Sequence, residues 1–124
     1  MTQEEEKNLL LIDLCGRLPY DIVINDEYGD YINVNIYNAH IEHLIDRVVS
    51  GIDKMVLRPI SSMTEEEYNE LKKISSYYGL APFEEIHNWT PYNLIDWFNA
   101  HHFDYRGLIE KNLANEAPES VYTD

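Results

Sequence analysis

Between Tyr20 and Tyr37 the chain alternates apolar and polar residues in two short runs, and no other segment restricts its conformation so tightly. Tyr20, Ile22 and Ile24 fall on one side of an extended strand, as do Ile32, Val34 and Ile36, while Asn33 and Asn35 point away. A helix cannot gather a period of two onto one face. Asp26-Glu27-Tyr28-Gly29-Asp30 lies between the runs and supplies turn residues, with Gly29 free to take positive φ. The segment therefore reads as an antiparallel hairpin with one packed and one wet face.

Helical signals flank it. Thr2 and Glu5 form a capping box ahead of Leu10, Leu11, Leu14 and Leu18, which predicts a helix from about Thr2 to Cys15, stopped by Gly16 and Pro19. Cys15 sits among leucines and reads as a buried, inert thiol. Residues 39–59 suit either a helix or a strand. Ile41, Leu44, Ile45 and Val48 favour a helix in the first half, and Met55 to Leu57 a short strand limited to an edge by Pro59. Thr64 and Glu67 repeat the capping box, bracketed by Met63 and Tyr68, and predict a helix from Thr64 to Tyr78 ending at Gly79. After a loop at Ala81-Pro82, Thr90-Pro91 restarts a helix to about His102 with Leu94, Ile95, Trp97 and Phe98 as core. Tyr105-Arg106-Gly107 reads as a turn, Leu108 to Asn115 as a short helix, and Ala117-Pro118 onward as a flexible tail.

The 124 residues then make a single α+β domain over 1–117 with a tail at 118–124. A small antiparallel sheet, from the hairpin at about 20–37 and a third strand within about 48–57, packs its Ile and Val face against three or four helices. Nine Lys and Arg against 23 Asp and Glu leave a charge of −14, which disfavours direct nucleic-acid binding through a basic surface. The lone cysteine allows no internal disulfide. Glu4 to Glu6 stand where a secretory signal needs basic residues, and no apolar run approaches a membrane span, so a cytoplasmic protein without a membrane role is expected. Asn88-Trp89-Thr90 matches a glycosylation acceptor, a pattern short enough to arise by chance.

Candidate functional residues are few. His101, His102, Asp104, Tyr105 and Arg106 crowd one helix end. Adjacent histidines on a helix diverge by about 100°, so joint metal ligation needs a distorted backbone, whereas the helix dipole alone favours histidine there. The corner is read first as structural, second as a partner contact, and third as the core of a metal-dependent hydrolase. His40 and His43, at i, i+3 with Glu42 and Asp46 near, are the other metal candidates, without a third histidine or cysteine at diagnostic spacing. His87 stands alone. No phosphate-cradling glycine loop or nucleophile elbow is present, and no cofactor or catalytic residue is assigned. Glu4 to Glu6 and Glu65 to Glu67 are explained by helix first turns. Without them 17 acids still face nine bases, a surplus suited to solubility or to a basic protein partner. Ten tyrosines cannot all bury their hydroxyls cheaply, and Tyr31 and Tyr37 on the outer hairpin face are the candidate contacts.

Three blocks carry a resemblance: Leu14-Cys15-Gly16-Arg17-Leu18-Pro19-Tyr20, the stretch from Leu57-Arg58-Pro59 to Glu67, and the stretch from Trp97 through His101-His102-Phe103-Asp104-Tyr105-Arg106 to Ile109, followed by Glu116-Ala117-Pro118. In these the chain resembles a group of uncharacterised small proteins of gut Bacteroidales and their phages or prophages, with residues 21–56 matching least. The resemblance implies a bacterial or phage cytoplasmic setting and brings no activity, cofactor or catalytic residue with it.

Overall fold

The computed structural model describes residues 1–77 and 92–122. Among these the chain runs α1 (Gln3–Arg17), β1 (Ile22–Asn25), β2 (Tyr31–Val34), α2 (Ile41–Val49), β3 (Lys54–Leu57), α3 (Glu65–Tyr77), α4 (Tyr92–Ala100) and β4 (Asn115–Glu116), an α+β fold. The sheet order is β2-β1-β3-β4. The features expected at Tyr78, Gly79, Ala81-Pro82, His87, Asn88 and Thr90-Pro91 lie outside the described residues.

The hairpin forms where the alternation places it, in the antiparallel register Ile22↔Val34, Val23↔Asn33, Ile24↔Ile32 and Asn25↔Tyr31. Its loop is shaped by Asp26, whose Oδ1 accepts from the backbone N–H of Tyr28 and of Asp30, and by Gly29 at φ +84°. The second strand stops at Val34 and does not reach Tyr37. Asn35 Oδ1 accepts from the N–H groups of Tyr37 and Asn38, and Asn38 Oδ1 accepts from Asn35 N–H. These side chains take main-chain groups that a longer strand would use, and the chain turns. Ile36 is consequently exposed, as is Ile32, so Val34 alone of the expected stripe is buried.

β3 differs from the expected edge strand. It pairs antiparallel with β1 and parallel with β4, and Arg58 adds a parallel bridge to Phe103, so Pro59 falls just beyond the last bonded residue. The helix expected over Leu108–Asn115 is a hydrogen-bonded turn, closed by Leu113 N–H to Leu108 O with Asn112 at φ +61°. That left-handed residue ends the helical path and sends Asn115 and Glu116 alongside β3. The expected flexible tail has an anchor in Tyr122, whose hydroxyl donates to Val56 O at 2.6 Å and accepts from Val23 N–H at 3.0 Å.

The second capping box forms in full, with Glu67 N–H donating to Thr64 Oγ1 and Thr64 N–H to Glu67 Oε1; at the first, Glu5 N–H donates to Thr2 Oγ1 and the Thr2 hydroxyl donates to Glu5 Oε1. α1 continues through Gly16 to Arg17. A Cβ on Gly16 would lie 3.2 Å from Asn99 Nδ2, so this glycine serves close packing against α4 and does not end the helix. The buried face of α1 is Leu10, Asp13, Leu14 and Arg17, which leaves Leu11 and Cys15 exposed; the expected buried thiol is on the outer side of the helix.

Two apolar clusters result. Leu10, Leu14, Leu44 and Val48 from α1 and α2 cover Ile22, Ile24, Val34, Met55 and Leu57 of the sheet. Leu71, Leu94, Trp97, Phe98 and Phe103 form the other, in which α3 and α4 meet each other and Phe103, while α4 also packs on α1 at Gly16. The aromatic rings can close a core among themselves, with Trp97 stacked on Phe103 at 5.7 Å and Phe98 edge-on to Trp97 at 5.6 Å.

At the junction lies an ion pair with no solvent exposure. Arg17 Nε donates to Asp13 Oδ2 at 2.7 Å, and Arg17 Nη2 donates to Phe103 O at 2.7 Å. Arg106 Nε reaches the other carboxylate oxygen, Asp13 Oδ1, at 3.0 Å. Arg17→Met removes the buried partner of Asp13 and leaves that carboxylate only the partly exposed Arg106 at 3.0 Å, so it should cost about 3 kcal/mol. Asp13→Leu combined with Arg17→Met leaves no buried charge there and should cost less than Arg17→Met alone. Urea unfolding of the three proteins at pH 7 checks this, and equal losses would contradict it.

Candidate functional site

The candidate corner begins where α4 ends. Phe103 N–H donates to Phe98 O and His102 N–H to Asn99 O, with His102 at φ +66°. This is the paired-bond helix stop in which a left-handed residue reverses the chain. Glycine is the usual occupant, and histidine is among the side chains that tolerate the position best. The reversal lays His102 to Asp104 along Arg58: Arg58 N–H donates to His102 O and Asp104 N–H to Arg58 O, both at 2.8 Å.

Each reactive side chain then leaves the corner in a different direction. His101 turns toward α3, its Nδ1 at 3.3 Å from Glu67 Oε2 and its Nε2 at 3.7 Å from Glu70 Oε1, with its ring 4.3 Å from Trp97. His102 stacks on Tyr122 at 3.9 Å, and its Nδ1 is buried. Asp104, 8% exposed, accepts from Leu108 N–H at Oδ1 and from Ile109 N–H at Oδ2, capping the turn that follows. Tyr105 stacks on Phe98, and the guanidiniums of Arg17 and Arg106 lie 5.3 and 5.1 Å from its ring centre. Arg106 completes the Asp13 network.

These side chains do not converge on one point. Both oxygens of Asp104 are engaged in capping, and the two ring nitrogens of His101 face Glu67 and Glu70 of α3. Asp104 is also too buried to meet a partner. His40 precedes the first turn of α2, and with Glu42, His43 and Asp46 it lines an open groove on that helix. Among the described residues no three His, Cys, Asp or Glu side chains are placed to hold a metal, so His40, His43, His101, His102 and Asp104 do not form a centre.

A second ion pair beside this corner was not anticipated from the sequence. Arg58 clamps Glu67 through two 2.7 Å hydrogen bonds while its guanidinium lies 4.2 Å above Phe103. The Arg58 hydrogen bonds, helped by Thr64 N–H, hold the Glu67 carboxyl down at about 2. Burial pushes His102 down to about 4, with the positive charges of Arg17 and Arg58 adding to the effect. Burial raises Tyr122 to about 12. The hydrogen-bonding corner is therefore neutral at His102 and ionic at Glu67 near neutral pH, an arrangement that fixes helices to the sheet.

The hairpin behaves differently. Tyr31 and Tyr37, the other candidate contacts, are 53% and 88% exposed, and Tyr28 at the loop is 82% exposed. Ile32 and Ile36 are exposed beside them. Large aromatic surface held in water by a short, well-bonded hairpin suits contact with another molecule.

The pKa directions fix a pH dependence. Between about pH 6.5 and about 4 the unfolded chain binds a proton at residue 102 that the native state refuses, so stability should fall on acidification through that window. Glu67 extends the loss from about 4.5 toward about 2, since its native carboxyl resists protonation. His102→Asn keeps a residue suited to positive φ and should flatten the first part of this slope, as urea midpoints at pH 7 and 4.5 would reveal; an unchanged slope would assign it elsewhere.

No family model, curated protein or solved structure matches this chain.

Proposed function

We propose that the protein is a non-enzymatic interaction module of bacterial or phage origin that presents an acidic, tyrosine-bearing hairpin to a basic protein partner in the cytoplasm. A phage-encoded inhibitor of a host nucleic-acid enzyme is its concrete form, because such enzymes carry basic surfaces made for phosphate. The observation that carries the reading is the exposure of Tyr28, Tyr31 and Ile32 in one hairpin, whose loop holds Asp26, Glu27 and Asp30, and of Ile36 and Tyr37 in the turn that follows it. Aromatic residues bring contact area with few rotors, and surrounding carboxylates steer a basic surface toward them.

The His101 to Arg106 corner contributes less to this reading than the hairpin does. His101 and Arg106 retain about a third of their side-chain surface, enough for a rim contact. No helix among the described residues is long and apolar enough to cross a membrane.

The test is capture from a Bacteroidales lysate at low and high salt, with partners identified by mass spectrometry. Glu27→Lys with Asp30→Lys should reduce recovery of the partner, and so should raised salt, because exposed charges are screened within about 8–10 Å. Tyr37→Ala should reduce it at either salt concentration. Recovery indifferent to salt and to all three substitutions would overturn the reading.

A further inference from the structure

We propose that the outer edge of β2 takes up an extended, lysine- or arginine-bearing segment of a partner protein as an added strand. The inference rests on the interaction reading above and specifies how the hairpin would bind.

The strand order leaves β2 with β1 on one side only, and among the described residues nothing pairs with its other side. Which groups face outward follows from the hairpin's own bonds. Asp26 N–H donates to Asp30 O and closes the loop as a bonded pair. Antiparallel pairing alternates from there, so Ile32 and Val34 bond inward to β1 while Tyr31 and Asn33 turn their N–H and C=O outward. Asn38 Nδ2 donating to Asn33 O at 3.2 Å, from outside the ladder, agrees with that alternation. The amides of Tyr31 and Asn33 and the carbonyl of Tyr31 are thus the groups a new strand would meet.

Edge strands are ordinarily kept very short or guarded by lysine, proline or a bulge, and β2 has only the first of these. Tyr31-Ile32-Asn33-Val34 has neither lysine nor proline, and its register with β1 runs without a bulge. The exposed rings and methyls of Tyr31 and Ile32 line the two faces beside the edge, where side chains of an added strand would pair with them.

Charge selects the occupant. From residue 18 to residue 46 the chain carries Asp21, Asp26, Asp30, Glu42 and Asp46, besides Glu27 that pairs with Arg47, and no lysine or arginine. A second copy of this chain would bring the same acids to the edge against a net charge of −14 on each molecule. An extended segment alternating cationic and apolar residues brings complementary charge to Asp30, a cation for the Tyr31 ring and a methyl face for Ile32.

The probe is a capped hexapeptide alternating lysine and valine, added to the full chain and followed by amide NMR. Expected are shifts of the Tyr31 and Asn33 amides and at least about tenfold slower hydrogen exchange at both. A twin N-methylated at alternate residues cannot form the ladder and should not bind; a twin with glutamate for lysine should fail through charge. Tyr31→Pro removes an outward donor without breaking a bond to β1 and should abolish binding. The N-methylated twin asks the same question of the unaltered protein. Lysine peptide binding that leaves Tyr31 and Asn33 unprotected, equal binding of the N-methylated twin, or no binding at all would overturn strand addition. Concentration-dependent protection of these amides without peptide would assign the edge to a second copy and overturn it as well. Salt-sensitive lysate capture persisting beside any of these results would leave the interaction module standing with a different mode of contact.

Discussion

The Asp13–Arg17 ion pair is the constraint around which the rest of the molecule is arranged. One apolar cluster covers the sheet and another joins α3 to α4, and Arg17 stands between them with its guanidinium on Asp13 and on the carbonyl of Phe103. A pair with no exposure is costly to desolvate, and its attraction offsets that cost only when the remaining hydrogen-bonding capacity is well used. Phe103 O, Arg106 and the flanking Tyr105 ring supply much of that use. The polar junction therefore sets the angle at which α1 meets the reversal after α4, which a purely apolar contact would leave freer to slide.

A similar division holds for the chemistry-bearing side chains. Histidine, aspartate and arginine crowded into one short stretch suggest a reaction, yet here they cap a turn, neutralise a buried acid and stack on rings. Arg58 does comparable work between the sheet and α3 by holding Glu67 while lying over Phe103. The hairpin carries few such duties at its outer side. Its loop is self-bonded through Asp26, and its rings project into water. Rigid backbone with uncommitted aromatic surface is what recognition needs, because little order must be gained on binding.

The alternation around Gly29, both N-terminal helix caps and α2 were legible in the sequence because each depends on residues within four or five positions of one another. What was not legible depends on bonds and backbone conformations that apolar periodicity does not record. The strand from Tyr31 looked three residues longer, since alternation cannot register that Asn35 and Asn38 will bond each other's backbone. Pro59 suggested an edge, but the segment after α4 supplies the neighbour for Arg58. Leu108 to Asn115 has helical composition, and a left-handed Asn112 overrides it. Asp13 and Arg17 at i, i+4 between Leu10, Leu14 and Leu18 did offer a signal: opposite charges at helical spacing inside the apolar stripe mark a buried pair. Cys15, one step off that stripe, is exposed for the same geometric reason.

Tyr122 hydrogen-bonds to a residue 99 positions earlier, Arg106 to one 93 positions earlier, and Arg17 to a carbonyl 86 positions later. Such closures are entropically expensive before native contacts reward them, and they slow folding relative to locally connected helical proteins of equal size. During synthesis α1 emerges long before its complement, so Arg17 and Asp13 wait in solvent as an ordinary surface pair until Phe103 and Arg106 arrive. The apolar face of α1 meets partners within the first 57 residues, whereas its buried charge is complete only once Phe103 and Arg106 are in place.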